Sequence, residues 1–171
     1  DSILNGSMSI YREFLQALIH FGKHANVKPQ LDAFFRCRPS HVMKPRDFEL
    51  SAQAGMKRFR IGVESGSQAV RDHMGKKETN EDIFYTLEMC LKHGIGVNLL
   101  LIAGYPTETE ARFQETIDFL SEIRRRGLDK TVDTVVVNEL YISDFTPLKD
   151  QIEELNIKHV GNDIDEKAQR Y

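Results

Sequence analysis

The feature that most constrains the fold of this chain is a regular alternation of extended and helical segments joined by short turns. Four segments have the composition of buried strands, and each is followed by a segment with helical spacing of apolar residues. The strand segments are residues 31–38, 57–65, 97–103 and 131–141, and the helical segments after them are residues 47–54, 80–93, 107–127 and 147–155. This alternation demands a parallel sheet. Periodicity alone leaves two architectures open, a doubly wound sheet and a barrel.

Two further helices are predicted, an amphipathic one over residues 9–22 at the front of the chain and a short one over residues 68–74. The predicted helix ends rest on four positions: Gly22 as the end of the first helix, Asn80 as an N-cap, Gly94 as a C-cap, and Thr107 as the start of a Thr107–Glu110 capping box. We see no boundary that divides the chain, so residues 1–171 are predicted to form a single domain.

Composition and charge exclude several classes of protein. With 40% hydrophobic and 29% charged residues, the chain is typical of globular proteins rather than disordered ones. A formal net charge of -3 gives no cationic field, so a nucleic-acid partner is not expected. The longest apolar run, residues 97–104, is shorter than the roughly 20 residues of a membrane helix, and no signal-peptide pattern is present. We therefore expect a cytoplasmic protein without a membrane partner; the oligomeric state is not indicated.

Metal and disulfide chemistry are not indicated by the cysteines or histidines. Cys37 and Cys90 lie in separate elements, which supports neither a disulfide framework nor a CxxC-type metal site, and both are predicted to be buried thiols. His20 and His24 are four residues apart on a helix, but without a third ligand a solvated helix face is the better interpretation. No metal site is predicted in this chain.

Chemistry in a parallel sheet collects at the carboxyl ends of the strands. In the strand over residues 57–65, alternation places Phe59, Ile61 and Val63 on one face and Arg60, Gly62 and Glu64 on the other. The second face indicates a polar, roomy interior. Glu64 stands near the strand end, immediately before Ser65, where a polar ligand could be received. The alternative is that Glu64 is a solvated turn residue or a helix cap.

Two other strand ends carry candidate ligand groups. Arg36 and Arg38 share a face by alternation, and their guanidinium groups would suit a carboxylate or phosphate, although they could equally be strand-end charges in solvent. Gly104 permits close approach of backbone to a flat ligand just before a helix start. Glu108 and Glu110 also suit a helix start, so this segment could be capping alone.

Two segments carry a resemblance to a known family. Ile61-Gly62-Val63-Glu64-Ser65-Gly66-Ser67 and Ile102-Ala103-Gly104-Tyr105-Pro106-Thr107-Glu108-Thr109 resemble the GVESGS and GxPxET segments of the radical S-adenosylmethionine (radical SAM) superfamily. The similarity is greatest to the branch that often carries a cobalamin-binding domain upstream. Residues 1–6 resemble the end of the second strand of that family, and residues 145–148 resemble the loop after its sixth strand. The resemblance covers nearly the whole chain.

The resemblance implies a partial (β/α)6 TIM-like barrel and a [4Fe-4S] cluster held by a CxxxCxxC loop after the first strand. It implies that the intact parent enzyme binds S-adenosylmethionine at the cluster and generates a 5′-deoxyadenosyl radical. Since CxxxCxxC is missing and Cys37 and Cys90 cannot substitute for three thiolates on one loop, we expect a chain truncated at its N-terminal strands. It would supply the C-terminal two-thirds of the barrel, bind no cluster and be inactive in isolation. Cobalamin is implied only for the parent.

The resemblance also implies ligand residues for a small-molecule cofactor. Glu64 resembles the residue that contacts the ribose of S-adenosylmethionine, with Ser65 assisting it. The other positions implied for the pocket are Ile102 and Gly104 along the adenine, Arg36 or Arg38 at the strand-three arginine, and Asn138 on the next strand. The catalytic residues, the substrate and the reaction are not indicated.

Two alternative functions remain open from the residues themselves. One is an aldolase-like or phosphate-binding (β/α)8 barrel with Glu64 as acid and base, although Lys57 and Lys130 are poorly placed as Schiff-base lysines. The other is a non-catalytic binding module descended from such a barrel. A sequence extended upstream would separate the three hypotheses. A CxxxCxxC motif would support the radical SAM enzyme, an intact strand without cysteines would support the binding module, and two further βα units would favour the aldolase-like barrel.

Overall fold

The structure is a computed structural model that describes residues 3–140, 142, 147–155 and 157. The chain divides into two compact units, Asp1–Glu139 and Leu140–Tyr171. In the second unit the described residues form a 3-10 helix over Pro147–Gln151 followed by turns, so the helix predicted over residues 147–155 is shorter than predicted and of the 3-10 type. Tyr141, Phe145 and Thr146 lie outside the described residues, as do Asp1 and Ser2. The organisation of the chain as a single domain stays a prediction.

The first unit is built on four parallel strands: β1 (Leu31–Phe35), β2 (Met56–Glu64), β3 (Gly96–Ala103) and β4 (Val132–Glu139). Their order in the sheet is the order in the chain, β1-β2-β3-β4. A doubly wound sheet reverses its strand order at a switch point, whereas a barrel adds each strand to the same edge. The described sheet shows no reversal, so it has the strand order of a barrel. Ile3 adds an isolated parallel bridge to Phe34 of β1.

In the part of the chain that the structure describes, five α-helices connect and cover the strands: α1 (Met8–Ala25), α2 (Pro45–Gln53), α3 (Gln68–His73), α4 (Asn80–His93) and α5 (Glu110–Arg125). Alternate residues of the strands face these helices and form the core, including Phe35, Phe59, Ile61, Leu99 and Leu101, all at most 3% exposed. Phe35 stacks on Phe59 with ring centroids 3.8 Å apart. Burial of each such side chain contributes about 1.5–3 kcal/mol. No helix in the described part of the chain is long and apolar enough to cross a membrane.

The end of α1 differs from the prediction. The helix continues past Gly22 to Ala25, and Asn26 is the residue with left-handed backbone, at φ 51°. Gly22 instead makes room for the returning chain, because a Cβ there would lie 3.0 Å from the carbonyl oxygen of Val27. The sequence alone does not distinguish a glycine required for close packing from one that ends a helix, which is why the end of α1 was predicted at Gly22.

The N-caps of α4 and α5 also differ from the prediction. Thr79, rather than Asn80, caps α4 by accepting a hydrogen bond from the amide of Asp82. Thr109, rather than Thr107, caps α5, and the hydroxyl of Thr107 is buried without a hydrogen-bond partner. The predicted Thr107–Glu110 capping box is therefore wrong. At the other end of α4, Gly94 is the C-cap with φ 67°, as predicted.

Candidate cofactor site

A cavity of about 230 Å³ opens at the carboxyl ends of β1 and β2. It is lined by residues of the inner face of the sheet, the face opposite the helices, by residues between α3 and α4, and by the core residues Phe35, Cys37, Ile61, Val63 and Ile83. The strands contribute Phe34, Arg60, Gly62, Glu64 and Leu100 to its wall, and the following segments contribute Arg36, Arg71, Lys76 and Glu78. The cavity therefore lies where ligands of parallel sheets are expected.

Glu64 is held at this edge in an unusual backbone conformation. Its φ is +65°, in the left-handed region where a residue with a side chain is strained by about 1–3 kcal/mol. Lys76 offsets this strain: its Nζ lies 3.0 Å from Glu64 Oε1 and donates to the carbonyl oxygen of Gly62 at 2.7 Å. A Cβ on Gly62 would lie 2.5 Å from Glu64 Oε1, so the glycine is needed to admit the carboxylate. Among the described residues, the other carboxylate oxygen, Oε2, has no hydrogen-bond donor.

The register of the sheet brings the predicted residues on three strands to one edge. Glu64 pairs with Leu101, and the next residue of β3, Ile102, pairs with Asn138 of β4. Gly104 follows β3 with φ 79°, and no atom lies within 4 Å of the position a Cβ would take. Its amide donates to Glu108 Oε2 at 3.0 Å, which shapes the loop. The backbone at Gly104 is thus open, but Ile102, Gly104 and Asn138 do not line the 230 Å³ cavity.

Arg36 and Arg38 are held by different partners. Because β1 ends at Phe35, both lie in the loop that follows the strand rather than on a strand face. Arg36 lines the 230 Å³ cavity and pairs with Glu78 at 3.2 Å. Arg38 donates to the carbonyl oxygens of Asn5 and Gly6, at 3.2 and 3.0 Å, and both arginines line a neighbouring cavity of about 380 Å³.

Ser65 is fully buried and does not line the cavity. Its hydroxyl lies 3.1 Å from that of Thr116 on α5, which also accepts a hydrogen bond from the amide of Gly66 at 3.0 Å. These bonds fix the turn after β2 against α5. A role for Ser65 as a cofactor ligand stays a prediction.

Two residues of the site, Arg71 and Lys76, received no role from the sequence. Arg71 is 1% exposed and donates to the carbonyl oxygens of Ser65 and Glu78, at 2.5 and 3.2 Å. It therefore joins the turn after β2 to the segment before α4. Burial lowers its pKa, and its hydrogen-bond acceptors are all neutral. Nothing local distinguishes a buried arginine near the end of a helix from a solvated one, so its role depends on tertiary packing.

The two cysteines are buried and free. Cys37 and Cys90 are at most 3% exposed, and burial raises the pKa of the Cys37 thiol to about 12 and that of Cys90 well above its ordinary value. Among the described residues, no group of three His, Cys, Asp or Glu side chains is arranged to hold a metal ion.

Comparison with protein families and curated proteins gives one family. The model of the radical SAM superfamily matches residues 3–120. A tRNA-2-methylthio-N(6)-dimethylallyladenosine synthase of Clostridium novyi is 26% identical over 167 residues, which cover 92% of this chain and 36% of that protein. The ribosomal protein uS12 methylthiotransferase RimO of Clostridium botulinum is 31% identical over 55% of this chain and 21% of its own length. The chain thus spans about a third or less of these relatives.

Solved structures share the fold at low sequence identity. TsrM of Kitasatospora setae, a radical S-adenosylmethionine methyltransferase solved with cobalamin and a [4Fe-4S] cluster, has a TM-score of 0.72 at 18% identity over 90% of this chain and 29% of its own. The coproporphyrinogen III oxidase HemN of Escherichia coli has a TM-score of 0.59 at 18% identity, over 85% of this chain and 37% of its own. The predicted α/β fold, a parallel sheet matching part of a radical SAM barrel, is confirmed.

Proposed function

The chain belongs to the radical SAM superfamily, and from that membership we propose that it supplies part of an S-adenosylmethionine pocket to a radical SAM enzyme. The observation that carries the proposal is the position of Glu64 at the edge of the cavity. One carboxylate oxygen is held by Lys76, while the other has no donor among the described residues. A carboxylate fixed in this way is suited to accept hydrogen bonds from a pair of hydroxyl groups.

The residues present fit the nucleoside end of S-adenosylmethionine. Glu64 would accept hydrogen bonds from the ribose, and the apolar side chain of Ile102 with the open backbone at Gly104 would lie along the adenine. Asn138 pairs with Ile102 and would contribute to the same wall. Reduced at an iron–sulfur cluster, S-adenosylmethionine supplies radical chemistry that removes a hydrogen atom from a substrate. In this proposal the residues of the chain bind and orient the cofactor.

The residues present do not fit a [4Fe-4S] cluster. A cluster needs three or four thiolates close together, whereas this chain has 2 cysteines, and both are buried thiols with raised pKa values. A cluster, and cobalamin if the parent uses it, would be held by other parts of the parent protein. The structures of TsrM and of OxsB, which were solved with cobalamin bound, support this second part of the proposal only through the shared fold.

The reaction and the substrate of the parent are not assigned by the relatives. By their names, one curated relative acts on a tRNA base and another on a ribosomal protein, so the family accommodates unlike substrates. Membership in the radical SAM superfamily argues against the aldolase-like barrel that the residues alone left open. A non-catalytic role for the intact protein remains the alternative that the binding experiment below addresses.

The proposal is tested by calorimetric titration of the chain with S-adenosylhomocysteine. We expect binding, and we expect Glu64→Gln to weaken it about tenfold, because one charge-assisted hydrogen bond contributes roughly 1.5 kcal/mol. Glu49→Gln is the matched control, since Glu49 is exposed on α2 outside the cavity. No binding by the unaltered chain, or equal losses in the two variants, would refute the proposed pocket.

A further inference from the structure

The inner face of the sheet carries charged and aromatic side chains where parallel sheets normally carry aliphatic ones. Both faces of a parallel sheet are usually buried, and barrel interiors are packed with branched aliphatic residues. Here Asp32 and Phe34 of β1 and Arg58 and Arg60 of β2 are between 31% and 46% exposed. These side chains are therefore not part of the hydrophobic core and are accessible to a ligand.

Arg60 is fixed in position with one edge of its guanidinium open. Its Nε and Nη2 donate to the two carboxylate oxygens of Asp32, at 2.8 and 3.0 Å. Nη1 has no hydrogen-bond acceptor among the described residues. Arg58 lies 3.6 Å from the same Asp32, so one carboxylate is shared by two guanidinium groups. A bidentate pair of this kind holds the planar group without using all of its donors.

Phe34 offers a flat apolar surface beside that open edge. It is paired with Arg60 in the register of β1 and β2, its ring centroid lies 5.9 Å from the guanidinium carbon, and it is 45% exposed. Gly62, the next residue on this face of β2, has no side chain, and Leu100 lies beside it on β3. All four residues line the 230 Å³ cavity. Its volume is a little below the roughly 300–1,000 Å³ of typical ligand pockets, so a small ligand is indicated.

The charge of the cavity favours an anion. Four cationic side chains line it, against two carboxylates. Both carboxylates are already paired, Glu64 with Lys76 and Glu78 with Arg36. Arg71 is buried with neutral acceptors, so its charge is not compensated by a carboxylate hydrogen bond. The carboxylates of Asp72, Glu78 and Glu115 act on Arg71 through space without hydrogen bonding to it, and an anion in the cavity would add to that attraction.

We propose that the inner face beside Phe34 and Arg60 is a substrate subsite for a small planar carboxylate, with its ring on Phe34 and its carboxylate on Nη1 of Arg60. The proposal rests on the proposed function, because the subsite shares its cavity with Glu64 and would place the ring beside the cofactor pocket. It names a substrate class that the family membership does not assign.

The subsite is tested by NMR titration of the chain with benzoate, and with cyclohexanecarboxylate as the non-planar comparison. We expect benzoate to bind in the millimolar range and at least about threefold more tightly than cyclohexanecarboxylate. Arg60→Gln should weaken benzoate about fivefold or more, and Phe34→Leu about threefold. Both side chains are exposed, so both variants should fold, and their amide spectra check this.

Two matched variants control for general effects. Phe113→Leu alters a phenylalanine of similar exposure, 43%, on α5, and Arg125→Gln alters an exposed arginine paired with Glu122. Both should leave the benzoate affinity within about twofold of the unaltered chain. No shift up to about 20 mM benzoate, or equal losses in the test and control variants, would overturn the subsite.

Titration with S-adenosylhomocysteine tests the cofactor pocket separately from the subsite. Binding of the nucleoside without Arg60-dependent binding of benzoate would overturn the subsite alone. Arg60-dependent binding of benzoate without binding of the nucleoside would overturn the cofactor pocket.

Discussion

Gly96 lies beneath an ion pair that connects the strands on either side of it. Arg58 of β2 donates from Nε to Asp133 of β4 at 2.7 Å, and the two side chains meet across β3. A Cβ on Gly96 would lie 2.3 Å from Asp133 Oδ2. Like Gly62 beside Glu64, this glycine is needed because a charged side chain from a neighbouring position occupies the space above it.

We therefore expect Gly96→Ala to displace the Asp133 carboxylate and to lower the free energy of unfolding by about 1 kcal/mol. In an Asp133→Ala background the same substitution should cost little, because the displaced group is gone. Urea denaturation of the four proteins of this double-mutant cycle measures the coupling. A cost for Gly96→Ala that is the same in both backgrounds would show that the ion pair is not what the glycine accommodates.

At the level of single residues, the sequence predicted which face of β2 is polar but not how its side chains are held. Alternation placed Arg60, Gly62 and Glu64 on one face, and the structure agrees. The left-handed backbone of Glu64 and its ion pair with Lys76 depend on a contact between residues twelve positions apart. No local pattern specifies that contact, so the support of the site could not be derived in advance.

At the level of elements, helix and strand positions follow from periodicity, while helix ends depend on contacts that the sequence does not display. The start of α5 illustrates this, since both Thr107 and Thr109 have the chemistry of an N-cap. Glu108 accepts a hydrogen bond from the amide of Gly104, so the residues from 104 to 108 form a loop and the helix begins after it. A hydrogen bond between residues four positions apart thus decided between two caps of the same chemistry.

The assignment of the cap is tested by a pair of substitutions. Thr109→Ala should lower the free energy of unfolding by about 1 kcal/mol, because the first turn of α5 loses the acceptor for the amide of Arg112. Thr107→Ala should cost less, because the Thr107 hydroxyl is buried without a partner and its removal relieves that desolvation. Thermal unfolding monitored by circular dichroism compares the two, and a larger loss for Thr107→Ala would contradict the assignment.

At the level of the whole molecule, the pattern of the chain predicted the parallel α/β fold, and strand order was the piece it could not supply. The alternation of strands and helices is equally compatible with a doubly wound sheet and with a barrel, because each crossover connects only two consecutive strands. The choice between them depends on which edge of the sheet receives the next strand. In the structure β3 and β4 are each added to the same growing edge, which is the strand order of a barrel.

The buried core also predicts a dependence of stability on pH. Burial raises the pKa of Cys37 to about 12 and also raises those of Cys90 and Tyr11. In the unfolded chain these groups lose their protons at lower pH than in the folded chain. Their contribution to stability is therefore complete below about pH 8.5 and is lost as the pH rises from there towards 12.

We expect the free energy of unfolding to fall by up to about 1.4 kcal/mol per pH unit for each thiol that deprotonates in the unfolded state alone. Urea denaturation at about pH 7.5, 9 and 10.5 measures this slope. Cys37→Ala removes one of the groups and should make the slope shallower, whatever its effect on stability at neutral pH. An equally steep slope in that variant would show that Cys37 does not contribute.

The ion pair across Gly96 disfavours a shift in the register of β3. A shift of β3 by one residue would turn its side chains to the opposite face and would bring Ile95 or Val97 beneath Arg58 and Asp133. Neither side chain fits where a single Cβ is already too close. A sheet with the shifted register would thus lose the ion pair as well as its apolar packing. Gly96 therefore helps to specify the register of β2, β3 and β4.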